Sequence, residues 1–529
     1  VEQLGLVFIV LFAAVLAEPL SRRIGLSSAV LMTVFGCVLA VIPAVPNIQI
    51  EPRLILPLVL PPLLYAAARR TSFRQFVEDW AAITARAVAL VLVTTAAVAA
   101  AFHALHPAVP VAAAVALGAL VAPPDPVAAT ALASKLGLPR RLVSVLEGEG
   151  LFNDVTAIVV YTVAVEAVVT GHFSAWHAVG AFLLSAVIAV AVGSVLGWAA
   201  GRIMDFLDEA VWKVALSLLV PFAAYGFAEA FEASGVLAVL VCALYLTEQA
   251  TAVDDSSYRL VGDSFWEVIE LLVSGFAFGL IGLELATVLA TTGTSWRGMV
   301  GSAAAVVAVV VLLRLLWLLV TYWAFRGRHR DHVLDEPYTW KETIVTWWAG
   351  MRGVASVALA LAIPLTTEQG APFPYRAEIM VTAFGVVLFT LLVQGPTLPL
   401  VVRWTGVTAD TALERRMERE LWGRVLRAEL RRLKEIAAER GDIPDETYER
   451  MRDAFVQRLA QADPEAAGDE EATARARLGR RRVKEMRAIQ QEVLSAGRRE
   501  ALSARREPGM PPDLVDRVMR RLDLRSERP

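Results

Sequence analysis

The chain has 529 residues, of which 56% are hydrophobic and 19% charged, with a formal net charge of −3. A mean hydropathy of +0.55 is too apolar for an ordinary soluble protein and fits a membrane class. The two cysteines, Cys37 and Cys242, fall in apolar runs and read as small buried hydrophobes, not as a disulfide or metal pair.

Apolar runs long enough to cross a bilayer recur near residues 2–19, 25–44, 54–68, 82–104, 109–134, 142–169, 175–201, 211–230, 233–250, 264–290, 298–325, 340–364 and 377–405. The count is about 13. The first run lacks a basic start and a cleavage-type end, so it reads as a retained span. Basic residues collect on the odd connections: Arg22 and Arg23, Arg69, Arg70 and Arg74, Lys135, Arg140 and Arg141, Arg202 and Lys213, and Arg326, Arg328 and Arg330. The even connections are poorer in Lys and Arg. This alternation predicts an external N-terminus and a cytoplasmic C-terminus, and it requires an odd number of crossings.

Span 5 is interrupted by Pro123, Pro124 and Pro126, and span 12 by Gly350-Met351-Arg352-Gly353. If spans 1–6 and 8–13 are inverted repeats, these breaks occupy matching places. Interrupted helices at matching places point to a secondary-transporter site at the bilayer midplane. The expectation rests on span order and helix breakers, because no repeat is visible at residue level.

Two acids sit beside these breaks. Asp125 lies inside span 5, and Asp154 lies about twelve residues into span 6, roughly 18 Å along a helix. Both therefore fall near mid-depth, where a carboxylate is costly and marks an ion or proton path. Two carboxylates and carbonyls freed by prolines, such as that of Pro124, make the hard oxygen site a small cation needs. A group that binds either a proton or a metal ion, never both, is the minimum machinery of exchange. Asn153 adds an amide beside Asp154 without adding a second acid that could carry a second proton. Glu149 shares a helix face with Asn153, four residues on. Arg314 in span 11 and Arg352 in span 12 are the buried cations and are expected to be paired as scaffold. Glu149 is the natural partner of one of them, with Arg314 favoured.

After Trp404 the chain becomes dense in charge. Leu421, Val425, Leu426, Leu430, Leu433 and Ile436, then Tyr448, Met451, Phe455 and Leu459, recur at helical spacing. Residues 461–471 read as a linker, and Pro511-Pro512-Asp513 opens a short helix through Leu514, Val518 and Leu522. The predicted fold is an all-α polytopic membrane protein with inverted repeats and broken helices in residues 1–407. A cytosolic charged helical domain follows in residues 408–529.

Several motifs resemble those of the monovalent cation:proton antiporter-1 family, the sodium–proton exchangers. Glu147-Gly148-Glu149-Gly150-Leu151-Phe152-Asn153-Asp154 resembles its Asn-Asp signature, and Asp125-Pro126-Val127-Ala128 its Asp-Pro-Val-Ala motif. Leu60-Pro61-Pro62-Leu63-Leu64-Tyr65, Ser234-Gly235-Val236-Leu237-Ala238 and Gly350-Met351-Arg352-Gly353 are similar to three more. The resemblance implies a core domain and a dimerisation domain, a homodimer, and elevator-like alternating access. It implies electroneutral one-for-one exchange, with Asp154 as cation and proton carrier and Asp125 in support. It also implies a Glu149–Arg314 bridge between the sixth and eleventh spans. Two positions depart from the pattern. Ala66 stands where many relatives carry an acid, and Gly150 where many have Ser.

The expected function is therefore Na⁺ or K⁺ exchange for H⁺ in the plasma membrane, serving pH and sodium homeostasis. No cofactor beyond the transported ions is expected, no enzyme activity, and no partner other than lipid and a second copy; no nucleic acid is expected. Two other classes compete with it: a cation-coupled carrier of an organic anion, which Arg352 would help bind, and a membrane sensor signalling through the tail.

Overall fold

The computed structural model describes residues 2–24, 27–42, 51–70, 73–125, 136–171, 175–252, 256–292, 296–325, 339–408, 411–440 and 444–462. Each expected span overlaps a helix. These are α1 (Glu2–Ile24), α2 (Ser28–Val41), α3 (Pro52–Arg70), α4 (Phe73–Leu105), α5 (Val111–Val121), α6 (Arg140–Thr170), α7 (Ala175–Phe206) and α8 (Ala210–Ala230). They continue as α9 (Gly235–Ala252), α10 (Ser256–Thr292), α11 (Trp296–Phe325), α12 (Trp340–Trp348), α13 (Val354–Leu361), α14 (Arg376–Phe389) and α15 (Gly395–Thr405). Among the described residues, 7 helical stretches are long and apolar enough to cross a bilayer, and shorter apolar helices accompany them.

Local chemistry sets many of the ends. The Ser27 hydroxyl accepts a 3.4 Å bond from Val30 N–H and starts α2. Thr339 and Glu342 form a reciprocal capping box at the start of α12. Gly171 closes α6 with φ 76°, a left-handed conformation that costs glycine nothing. The thirteenth span is not one α-helix. Its i→i+4 ladder widens into a π turn over Thr390–Gln394 between α14 and α15.

Small residues decide which helices approach closely. A methyl group on Gly36 of α2 would meet the backbone of Gly279 and Gly282 on α10. On α5, a methyl at Gly118 would meet the Thr95 backbone of α4. Such backbone-to-backbone approach is how membrane helices gain packing energy without a hydrophobic drive. Two groups of helices result. In one, α1, α2 and α3 pack on α10. In the other, α5 packs on α4 and α6, and α11 on α4 and α14.

In the fifth span α5 ends at Val121, and the twelfth span is split between α12 and α13, as the helix breakers predict. Pro126 and the rest of the fifth span's second half lie outside the described residues. By packing, the chain forms two units, Val1–Ala409 and Asp410–Pro529. In the second, α16 (Thr411–Arg440) and α17 (Asp445–Ala462) pack together, with Leu426 and Leu433 buried. The helix expected near residues 511–522 and most of the expected linker lie outside the described residues.

Candidate cation site at the crossing of two broken helices

The site begins with a shortage of N–H groups. Carbonyls near the end of α5 would accept bonds from residues four places on, and Pro123, Pro124 and Pro126 have no N–H to give. Asp125 has one, but donates it elsewhere, to Met351 C=O at 2.6 Å. That bond ties the break in the fifth span to the break in the twelfth.

Arg352 fills the vacancy at the end of α5. Its Nε donates to Val121 C=O at 3.0 Å and a terminal nitrogen donates to Ala122 C=O at 3.2 Å. The other terminal nitrogen donates to Gly350 C=O at 2.5 Å, beyond the end of α12. One fully buried guanidinium thus caps two helix C-termini, where the backbone dipoles leave partial negative charge. Its own N–H donates to Thr390 Oγ1 at 3.0 Å, on the π turn. The expectation that Arg352 belongs to an ion pair is corrected here: backbone carbonyls take the place of a carboxylate.

Asp125 does the converse. Its Oδ2 accepts the N–H of Val354 at 3.3 Å, placing negative charge on the N-terminus of α13. Gly353, directly before that helix, has no side chain to cap it. A methyl there would overlap the Asp125 carboxylate. Pro124, the expected carbonyl ligand, is buried immediately before Asp125.

The third wall is α6. Glu149 meets Arg314 of α11 in a two-pronged bridge, with N–O distances of 2.6 and 3.1 Å. Arg314 is also 3.5 Å from Thr346 C=O, and Gly350 leaves the room it needs. Asn153 is fully buried; its Nδ2 donates to Glu149 at 3.4 Å, while its Oδ1 finds no partner among the described residues. Asp154 is half-buried and close enough to Asp125 for the two carboxylates to interact. No hydrogen bond joins its side chain to the described residues. Gly150 and Ala66 are both buried and offer no polar side chain.

The structure therefore gathers Asp125, Asn153, Asp154, Glu149, Arg314 and Arg352 around one crossing. Reading the sequence missed Thr390, and it marked Met351 and Gly353 as part of the break without their contacts to Asp125. Thr390 is an ordinary threonine in an apolar run, and the other two act through backbone or lack of side chain.

The sequence matches the family described as sodium/hydrogen exchanger, transmembrane, over residues 7–404. A Mycobacterium tuberculosis protein named an uncharacterized Na(+)/H(+) exchanger is 36% identical over 455 residues, 83% of this chain and 82% of its own length. A low-affinity Na(+)/H(+) antiporter of Synechocystis is 30% identical over 456 residues, 85% and 82% of the two chains. Among solved structures, the sodium proton antiporter MjNhaP1 of Methanocaldococcus jannaschii shares the fold, with a TM-score of 0.60 at 18% identity over 76% of this chain and 99% of that one. This chain belongs to the sodium/hydrogen exchanger family.

Proposed function

We propose that the chain exchanges Na⁺ or K⁺ for H⁺, one for one, with Asp154 alternating between proton and cation. The observation that carries this reading is the contrast at the crossing. Asp125 is engaged by backbone N–H of α13, whereas Asp154 has no hydrogen-bond partner among the described residues and is free to change what it binds. Asp125, the Asn153 amide oxygen and the Pro124 carbonyl complete the oxygen set on offer to the ion. Glu149 and Arg314 bind each other and are scaffold.

The organic-anion alternative is not favoured, either by the family or by Arg352. Each guanidinium nitrogen of Arg352 already bonds to a carbonyl, and the side chain is buried with a relative exposure of 2%, so it is spent on the two helix ends and not presented to a substrate anion. We further propose a homodimer in the plasma membrane with its C-terminus in the cytoplasm. The sidedness is supported by the basic residues on the odd connections.

The test is a dequenching assay in everted vesicles with added Na⁺, K⁺ or Li⁺. The parent protein is expected to move protons in response to at least one of these ions. Asp154→Asn is expected to yield folded protein with no cation-dependent proton movement. Substantial residual exchange in that variant sinks the assignment of the carrier.

A further inference from the structure

Above the crossing, toward the connections that are poor in Lys and Arg, an ion pair among the described residues joins the two helix groups. Arg376 is the first residue of α14, and its Nε donates to Ile363 C=O at 3.2 Å, just beyond α13. This anchors it within the group that carries Asp125 and Asp154. A terminal nitrogen of Arg376 reaches 3.5 Å to Glu284 on α10. Glu284 belongs to the other group, because α10 is held to α2 through the close contacts of Gly36, Gly279 and Gly282. Among the described residues, α10 also packs on α13 and α14, but without glycine-to-glycine backbone contacts of the kind that hold it to α2. Interlocked backbones within one group and side-chain contacts between the groups are what two bodies that shift against each other require.

The pair stands over Asp154. Tyr161 lies seven residues along α6 from Asp154, two turns further out on the same helix face. It is buried, with its hydroxyl lacking a hydrogen-bond partner among the described residues, and it lies within electrostatic reach of Arg376. Ile158 lies between the two on that face and is also buried. From Asp154 outward, the face runs through Ile158 and Tyr161 to the Arg376–Glu284 pair.

We propose that Arg376 and Glu284, with Tyr161 beneath them, form an ionic gate over the outer approach to Asp154. The pair holds the outer side closed in this conformation and separates when the carrier faces outward. The inference rests on the proposed exchange reading only in taking Asp154 as the carrier. A passive bridge of the same geometry contributes stability alone; a gate also sets the fraction of time the space above Asp154 opens to one side.

The test reads accessibility, not transport. Full-length protein with Cys37→Ala and Cys242→Ala receives a single reporter, Ile158→Cys. A membrane-impermeant charged thiol reagent is then applied to right-side-out or inverted vesicles. The parent reporter is expected to label slowly from outside. Glu284→Gln and Arg376→Gln should each raise the outside rate about ten-fold, a change open to a conformation whose alternative is a minor population. Arg376→Lys, which keeps the charge, should label close to the parent rate, and melting temperatures identify any variant that is simply unfolded. An unchanged outside rate in both folded Gln variants overturns the gate, as does a rise that is equal from the two faces or confined to the cytoplasmic face. If exchange itself is misassigned, the parent shows no cation-dependent proton movement, while the labelling result still stands on its own.

Discussion

Asp125 and Asp154 are acids of the same kind at the same crossing, yet they are held differently. Asp125 sits on an unwound segment: its N–H is bonded to Met351 and its carboxylate accepts the first N–H of α13. Asp154 sits mid-helix on α6, where the backbone is satisfied and the side chain is uncommitted among the described residues. The difference separates two tasks that charge alone cannot. One carboxylate neutralises a helix terminus and holds two breaks together; the other is free of such ties, as the carrier we propose must be. The buried arginines divide in the same way. Arg314 is matched by a carboxylate, and Arg352 by three carbonyls that prolines and helix ends have left without donors.

Breaking the carboxylate bridge should cost most. Glu149→Ala leaves Arg314 buried without its counter-charge, which typically costs ~3–5 kcal/mol. The melting temperature should fall steeply, and apparent cation affinity should change much less. Normal melting with altered cation selectivity would instead place Glu149 among the ion's ligands.

Gly353→Ala presses directly on the Asp125 contact. The new methyl overlaps the carboxylate, so Asp125 must leave the start of α13. Overpacking of this kind costs about 1–3 kcal/mol. Transport should drop although no titrating group has changed. An unaltered melt and unaltered exchange would show that α13 does not need Asp125 as its cap.

A double-mutant cycle sharpens the contrast between the arginines. The pair Glu149→Ala and Arg314→Ala should couple by roughly 2–3 kcal/mol in stability, at the upper end for directly bonded residues. Glu149→Ala with Arg352→Ala should couple by less than about 1 kcal/mol, because Arg352 is satisfied by backbone. Equal coupling in the two cycles would mean that the three charges act as one network. The smallest effect belongs to Thr390→Val, which deprives Arg352 N–H of its acceptor and should cost ~1–2 kcal/mol in thermal or denaturant stability.

Much of this architecture was legible in the residues. Hydropathy placed the spans, because a chain that crosses lipid must write long apolar runs. Pro123, Pro124 and the pair Gly350 and Gly353 marked the two breaks, because proline removes donors and glycine weakens a helix. The Glu149–Arg314 bridge was legible as an acid and a base that needed each other at membrane depth. The same logic puts Arg352 in an ion pair, because counting charges does not register backbone carbonyls as acceptors. The π turn at Thr390 left no trace in composition. Neither did the meeting of Arg376 and Glu284, which are far apart in sequence and are brought together by the packing of α10 near α14.

The central claim is that a single carboxylate, Asp154, carries both ions while Asn153 keeps the neighbouring position neutral. One charge then enters for each that leaves. The direct measurement is the rate of Na⁺-driven proton movement in proteoliposomes clamped at a series of membrane potentials with valinomycin and K⁺. Net movement of one charge couples to the potential by ~2.3 kcal/mol per 100 mV, so the two cases are well separated. The account predicts a rate independent of the clamp. A rate that follows the potential would contradict it and assign a second titrating role to Asp125 or another acid.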